Sequence, residues 1–328
     1  MVKKLSIKNF KSLKEIQLDC KKLNIFIGEP NSGKSNIIEA LSFLSTGVMQ
    51  DHLPKDVFRY KTMGDFFFDS NINKPIEVNT DVLALSLKFA MRADNAPDNQ
   101  FEFTVVNKLQ EEKPQSARFE HSGKMQGHLT LTTPFRLYQY KRLDSFTPGY
   151  ANFLLSPHGA NLVTLLLSNE DLRHWVEEFF ASKGLMLTMK PVENDINISK
   201  LVKKSLYSYP YSSVSETLQR IVFYMLAIKS NKENMLLLDE PESNTFPFYT
   251  KFLAESIGLD QTNQFFITTH NPYLLLNLIE KSPEKDLSVF ICQMKDHESK
   301  VTALNKKQIK EVLDFNSDVF FNLERILA

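Results

Sequence analysis

The sequence predicts an α/β fold, in which parallel strands and helices surround a phosphate-binding loop and carry a β-rich antiparallel lobe and a helical lobe as insertions. Three observations lead there. Gly28-Glu29-Pro30-Asn31-Ser32-Gly33-Lys34-Ser35 fits the pattern G-x-x-x-x-G-K-[ST]. It lies between a short apolar strand, Leu23–Ile27, and a helix with Ile37, Leu41 and Leu44 on one face. Far along the chain, Met235-Leu236-Leu237-Leu238 is a continuous apolar run ending in Asp239-Glu240, as in a parallel strand covered on both faces. The distance between the two motifs leaves room for both insertions.

In chain order, residues 1–50 are expected to open the core. Val2, Leu5 and Ile7 alternate as in a strand, Asn9–Leu13 turns the chain, and Ile16 and Leu18 mark a second strand. This end is locally basic, with eight lysines against three acids in the first 35 residues, which a solvated face would also show. Residues 51–150 are expected to form the β-rich lobe. Its alternating runs are Val82–Met91, Phe101–Val106, Leu129–Leu131 and Phe135–Tyr140, separated by polar turns such as Asn95-Ala96-Pro97-Asp98-Asn99. Residues 151–204 change to helical spacing through Leu162, Leu165, Leu166, Leu172, Trp175, Val176 and Phe179, with a short strand near Leu185–Met189. The core resumes over 205–328. Ser215 caps a helix with Leu218, Ile221, Val222 and Met225 as its apolar face, and Phe265–Thr269 is a further buried strand that ends in His270-Asn271-Pro272.

Composition bounds the function. Lys+Arg and Asp+Glu balance at 39 each, so no global field draws the chain to nucleic acid or a membrane, and any nucleic-acid contact would come from a local patch or an assembly. Cys20 and Cys292 stand far apart without metal-ligand spacing, as in a reducing cytosol. The apolar run Ile221–Ile228 is too short to span a bilayer, and the N-terminus has no apolar signal segment. A cytoplasmic protein is expected.

The chemistry follows from residue type. Gly28 and Gly33 let backbone N–H groups turn toward an anion where a Cβ would intrude. The start of the following helix adds free N–H groups and a favourable dipole. Lys34 can reach the β- and γ-phosphates and Ser35 can ligate Mg²⁺. Asp239 can hold the same ion, and Glu240 can orient and deprotonate a water. His270 ends a strand one crossover later, which suits a γ-phosphate contact beside that carboxylate.

With those motifs in place, the chain resembles the head of an ABC-type ATPase of the RecF/SMC/OLD-like branch, nearly end to end. The resemblance rests on Leu5–Leu13, on Gly28–Leu41 (Walker A), on Leu236–Glu242 (Walker B) and on Ile267–Pro272. It implies ATP and Mg²⁺ as ligands, with Gly28, Asn31, Ser32, Gly33, Lys34, Ser35 and Asn36 on the phosphates. It places Lys11 and Ser12 near the nucleotide and Gln139 at the Q-loop glutamine. It further implies two heads closing on two nucleotides, with Ser215 of one chain meeting the γ-phosphate on the other. Relatives carry Leu-Ser-x-Gly at that signature, whereas here Val214-Ser215-Glu216-Thr217 has no glycine.

The expected function is therefore an ATP-hydrolysing switch or motor subunit, as a homodimer or higher homo-oligomer. It would control a partner effector encoded nearby, in DNA maintenance or anti-phage defence. No coiled-coil arm or fused nuclease is expected, because heptads and a carboxylate cluster are missing from the sequence. Two alternatives stay open: a nucleotide-gated scaffold that binds DNA or protein without hydrolysis, and a P-loop kinase, which would need an acceptor pocket.

Overall fold

The computed structural model describes residues 1–45, 51–90, 100–109, 113–127, 129 and 132–327. The turn Asn95–Asn99, Met91 and the last two residues of Leu129–Leu131 lie outside them. The chain opens with β1 (Lys4–Phe10), β2 (Leu13–Asp19) and β3 (Leu23–Gly28), followed by α1 (Lys34–Ser42). Next come β4 (Ile76–Thr80), β5 (Leu83–Ala90), β6 (Gln100–Asn107), β7 (Gln115–Glu120), β8 (Met125–Gln126) and β9 (Phe135–Tyr138). Helices α2 (Leu162–Ser168) and α3 (Glu170–Ala181) precede β10 (Met186–Lys190), β11 (Asp195–Val202) and β12 (Ser205–Pro210). The remainder is α4 (Glu216–Ser230), β13 (Met235–Asp239), α5 (Pro247–Leu259), β14 (Gln264–Thr268) and α6 (Pro272–Lys281), then β15 (Leu287–Lys295), β16 (Glu298–Ala303), α7 (Lys306–Phe315) and α8 (Leu323–Leu327).

The central sheet has the order β16-β15-β3-β14-β13-β9, parallel throughout except for the antiparallel edge strand β16. Strands β3, β14, β13 and β9 are buried on both faces, and the alternation sorts the sheet's side chains into two cores. Ile25, Ile27, Leu236, Leu238, Phe265 and Ile267 face one core, together with Leu226 of α4, Leu253 of α5 and Leu275 of α6. Phe26, Leu237, Phe266 and Phe290 face the other, which contains Ile37 and Leu41 of α1 and the inner face of a second sheet. That second sheet, β2-β1-β4-β5-β6-β7-β8, is antiparallel. The result is a layered molecule with the parallel sheet in its interior.

The sheets cut across the expected segment boundaries in three places. Strands β1 and β2 belong to the antiparallel sheet, where β1 pairs with both β2 and β4, so only β3 onward enters the central sheet. Phe135–Tyr140 was expected as a hairpin strand of the β-rich lobe, but β9 lies parallel to β13 at the edge of the central sheet. Arg136 disguised it, because one charge in four residues reads as a solvent-facing side. In the fold Arg136 is buried, bonding the carbonyls of Thr133 and Phe135 and lying over the Phe153 ring at 4.6 Å. Third, the helical lobe does contain α2, α3 and β10, but β11 and β12 complete a three-stranded antiparallel sheet that runs past residue 204. Strand β12 is exposed along its length, so no apolar periodicity announces it. Among the described residues no helix is long and apolar enough to cross a membrane.

The second core is aromatic where α1 meets the antiparallel sheet. Phe66 is fully buried and meets the rings of Phe10, Phe43, Phe58 and Tyr60 at 4.9–5.9 Å. Its backbone carbonyl accepts from Lys11 N–H at 2.8 Å. Phe66→Ala should therefore cost about 3–5 kcal/mol through lost burial and a residual cavity. Chemical denaturation should show this as a lower midpoint with an unchanged slope.

Candidate active site

Strands β3, β13 and β14 end together, because a parallel sheet brings the C-terminal ends of its strands to one edge. The phosphate loop follows β3. Gly28 has φ +148° and Gly33 φ +94°, and Asn31 between them is also left-handed at φ +61°. Neither glycine has room for a side chain: a Cβ on Gly28 would stand 2.2 Å from the Cys292 carbonyl oxygen, and one on Gly33 would stand 2.1 Å from Ser299 Oγ. The loop is thus shaped from behind by β15 and β16. Ser32 is buried, and its Oγ has no hydrogen-bond partner. Lys34 is 6% exposed, and its Nζ donates to the carbonyls of Gly28 and Glu29, both at 2.8 Å. Burial lowers its pKa; the nearby Cys292, Glu240, Asp239 and Glu29 oppose that.

Opposite the loop, Ser35 Oγ donates to Asp239 Oδ1 at 3.1 Å, and Thr268 Oγ1 donates to the same oxygen. Burial raises the Asp239 pKa, while these two hydroxyls favour its charged form. Glu240 sits at φ +46°, and its N–H donates to Thr268 O at 3.1 Å and Thr268 Oγ1 at 3.0 Å. The turn carries its side chain to His270, whose Nδ1 lies 2.9 Å from Glu240 Oε1. The His270 side chain is otherwise open, at 61% exposure. Ser35, Asp239 and Gln139 line one cavity of about 100 Å³, with Glu39 and Arg59 on its wall.

The donors fit the ligands that the motif implies. An unpartnered buried hydroxyl at Ser32, a cradle that excludes Cβ atoms and a lysine held by carbonyls alone suit a polyphosphate. One hydroxyl and one carboxylate, at Ser35 and Asp239, suit Mg²⁺, which keeps several waters and takes further oxygens from its substrate. Among the described residues there is no cluster of three or more acidic, His or Cys side chains that could hold a metal by itself.

The remaining sequence candidates divide. Ser12 Oγ lies 2.6 Å from Ser299 Oγ and accepts from Asn36 Nδ2 at 2.8 Å, so both brace the loop from behind. Lys11 pairs with Glu39 and donates to the Arg59 carbonyl at 2.8 Å, an internal engagement for a residue expected at the nucleotide. Gln139 lines the cavity beside Ser35 and Asp239. Ser215 stands at the N-cap position of α4, but its side chain makes no capping bond, and it is exposed. Sequence reasoning missed Arg59, which bonds Asn36 Oδ1 at 3.2 Å and Glu39 Oε2 at 3.4 Å from an irregular aromatic stretch with no motif. It missed Ser299 and Thr268 as well, whose roles exist only through tertiary contact.

Fold and site together are those of a P-loop nucleotide-binding domain. Residues 1–132 match the family model described as an AAA ATPase domain. A curated protein of Helicobacter pylori (strain ATCC 700392 / 26695), described as an ATP/GTP phosphatase, is 21% identical over 333 residues, spanning 88% of this chain and 90% of its own. Among solved structures, an SMC head bound to the C-terminal winged-helix domain of ScpA matches 94% of this chain and 99% of its own, with TM-score 0.55 at 16% identity. The chain thus shares the fold of an SMC head domain.

Lys34→Ala should weaken ATP binding by at least ~1.5–3 kcal/mol, read by calorimetry on the folded protein. Gly33→Ala should weaken it by about tenfold or more, since it combines a collision with a left-handed backbone. Ser299→Gly should restore only part of that loss, because it relieves the collision and leaves the backbone strain.

Proposed function

We propose that this protein hydrolyses Mg·ATP with Glu240 as the base, and that it works as a nucleotide-driven switch subunit controlling a partner protein. The observation that supports this most is the Glu240–His270 pair at 2.9 Å, standing beside the Ser35–Asp239 contact at the ends of adjacent strands. Nδ1–H of His270 donates to Glu240 Oε1, which orients the carboxylate and leaves Oε2 to accept a proton; Ser243 Oγ donates to Oε2 at a long 3.4 Å. A water between Glu240 and the γ-phosphate loses its proton to that oxygen as its own oxygen bonds to phosphorus. The bond from phosphorus to the β,γ-bridging oxygen breaks in line, giving ADP and inorganic phosphate. Lys34 moves from its carbonyl partners onto the phosphates, where its charge offsets that of the leaving group. Mg²⁺ at Ser35 and Asp239 would add further positive charge there.

The two-headed arrangement is part of the same proposal. Ser215 is exposed, its side chain makes no capping bond among the described residues, and the helix it precedes has free N–H groups at that end. A γ-phosphate presented by a second copy would satisfy them. Thr217 Oγ1 donates to Asn244 O at 3.2 Å, tying the start of α4 to the turn after β13. A change at the signature segment therefore reaches the hydrolytic strand directly. The head fold of an SMC protein supports a dimerising role, and control of a partner effector in DNA maintenance or anti-phage defence follows from the family resemblance.

Glu240→Gln should retain ATP binding and lose turnover by about 10²-fold or more, since the amide cannot take the proton. Normal turnover would place the base elsewhere. Ser215→Arg should bind ATP normally and hydrolyse none. Mixing it with Lys34→Ala should restore part of the activity, because a mixed dimer joins one intact phosphate loop to one intact Ser215.

A further inference from the structure

Two residues beyond the base, Glu242 is a carboxylic acid inside the protein, 3% exposed. Nothing in the reaction described above uses it. Its Oε1 accepts from Thr269 Oγ1, and its Oε2 is buried without a partner. Burial pushes this carboxyl up to about 7, against the hydrogen bond from Thr269, which favours the charged form. Burying a carboxylic acid is costly unless it is hydrogen-bonded, and the bond that offsets the cost here is the one from Thr269.

Thr269 is fully buried and immediately precedes His270. Its N–H donates to Phe26 O on the neighbouring strand at 3.1 Å, and its Oγ1 accepts from Asn271 N–H at 3.0 Å. The turn that presents His270 is thus closed through the Thr269 hydroxyl. Asn271 then caps α6 with its side chain, accepting from Tyr273 N–H at 2.8 Å and Leu274 N–H at 3.2 Å. On the other strand, Glu242 is fixed by its own turn, where its carbonyl accepts from Thr245 N–H at 3.0 Å. Beyond the contacts of Thr268 with Asp239 and Glu240, the segments that follow β13 and β14 are joined at the surface by Glu240 with His270 and in the interior by Glu242 with Thr269.

We propose that Glu242 is a positioning residue for hydrolysis, acting through the Thr269 hydroxyl to hold the turn that sets His270 against Glu240. The proposal rests on the roles given above to Glu240 and His270. Removing the inner brace leaves the phosphate loop and the Ser35–Asp239 contact intact, so its loss separates turnover from ATP binding. It requires an acceptor for the Thr269 hydroxyl rather than a charge, so a neutral amide of the same shape serves.

The test compares kcat and KM for ATP across Glu242→Ala, Glu242→Gln, Thr269→Val, Thr269→Ser and His270→Ala in the full chain. Glu242→Ala and Thr269→Val should each lower kcat by about 10- to 100-fold with KM unchanged, the size expected from misplacing a catalytic group. Glu242→Gln and Thr269→Ser should keep most of the activity. Adding Glu242→Ala to His270→Ala should lower kcat no further, because the brace acts through His270. Losses that multiply in the double variant, or a normal kcat in Thr269→Val, would overturn the proposal. If Glu242→Ala fails to fold, Thr269→Val combined with His270→Ala carries the same test. Should His270→Ala itself hydrolyse ATP at the normal rate, the catalytic role of His270 fails, a result distinct from failure of the brace alone.

Discussion

The constraint on which this molecule depends is that a parallel sheet must be covered on both faces. Each of β3, β13 and β14 is buried on both sides, so one set of side chains packs against α4, α5 and α6 and the other against α1 and the antiparallel sheet. Parallel strands also end on the same edge, which is why a lysine loop, a carboxylate pair and a histidine from distant parts of the sequence meet there. The polar groups at that edge are surrounded by apolar packing, which is what pushes the Lys34 pKa down and that of Asp239 up.

Much of this is legible in the sequence, for a physical reason. Strands β3, β13 and β14 are short and each carries a run of at least three consecutive apolar residues, so their pattern admits few other readings. The phosphate loop is legible because it needs glycine at positions with left-handed backbone, and its chemistry is local. Strand β9 was misassigned because Arg136 satisfies its guanidinium on nearby carbonyls and stacks on Phe153, which no pattern of hydrophobicity shows. Strand β12 was missed because it is exposed along its length and carries no core-facing alternation, and β11 because its one alternating pair, Ile196 and Ile198, is too short a pattern to stand out. At the site, the residues that reasoning overlooked are the ones whose partners are remote in sequence. Arg59, Thr268 and Ser299 each act on a motif residue from another element.

Those remote residues divide the labour around the nucleotide. The loop supplies N–H groups, but its shape is imposed from outside, since Ser299 and the Cys292 carbonyl occupy the space that side chains at Gly33 and Gly28 would need. Ser12 and Asn36 extend this backing, with Ser299 N–H donating to Ser12 O at 2.8 Å. The carboxylates are oriented in the same way by neighbours on the adjacent strand, Thr268 for Asp239 and Thr269 for Glu242. Rigidity at the phosphate end and a hydrogen-bonded turn at the hydrolytic end are what positional catalysis needs.

The backing of the loop also sets an order of events during synthesis. The segment that will grip phosphate leaves the ribosome long before Ser299 does. Strands β15, β14 and β13, which flank or follow β3 in the sheet, also come from the final third of the chain. A growing polypeptide therefore has the motif long before it has the pocket. The pocket has its full shape only once residue 299 has emerged and folded back, so a fragment that stops before β16 carries the motif without its backing.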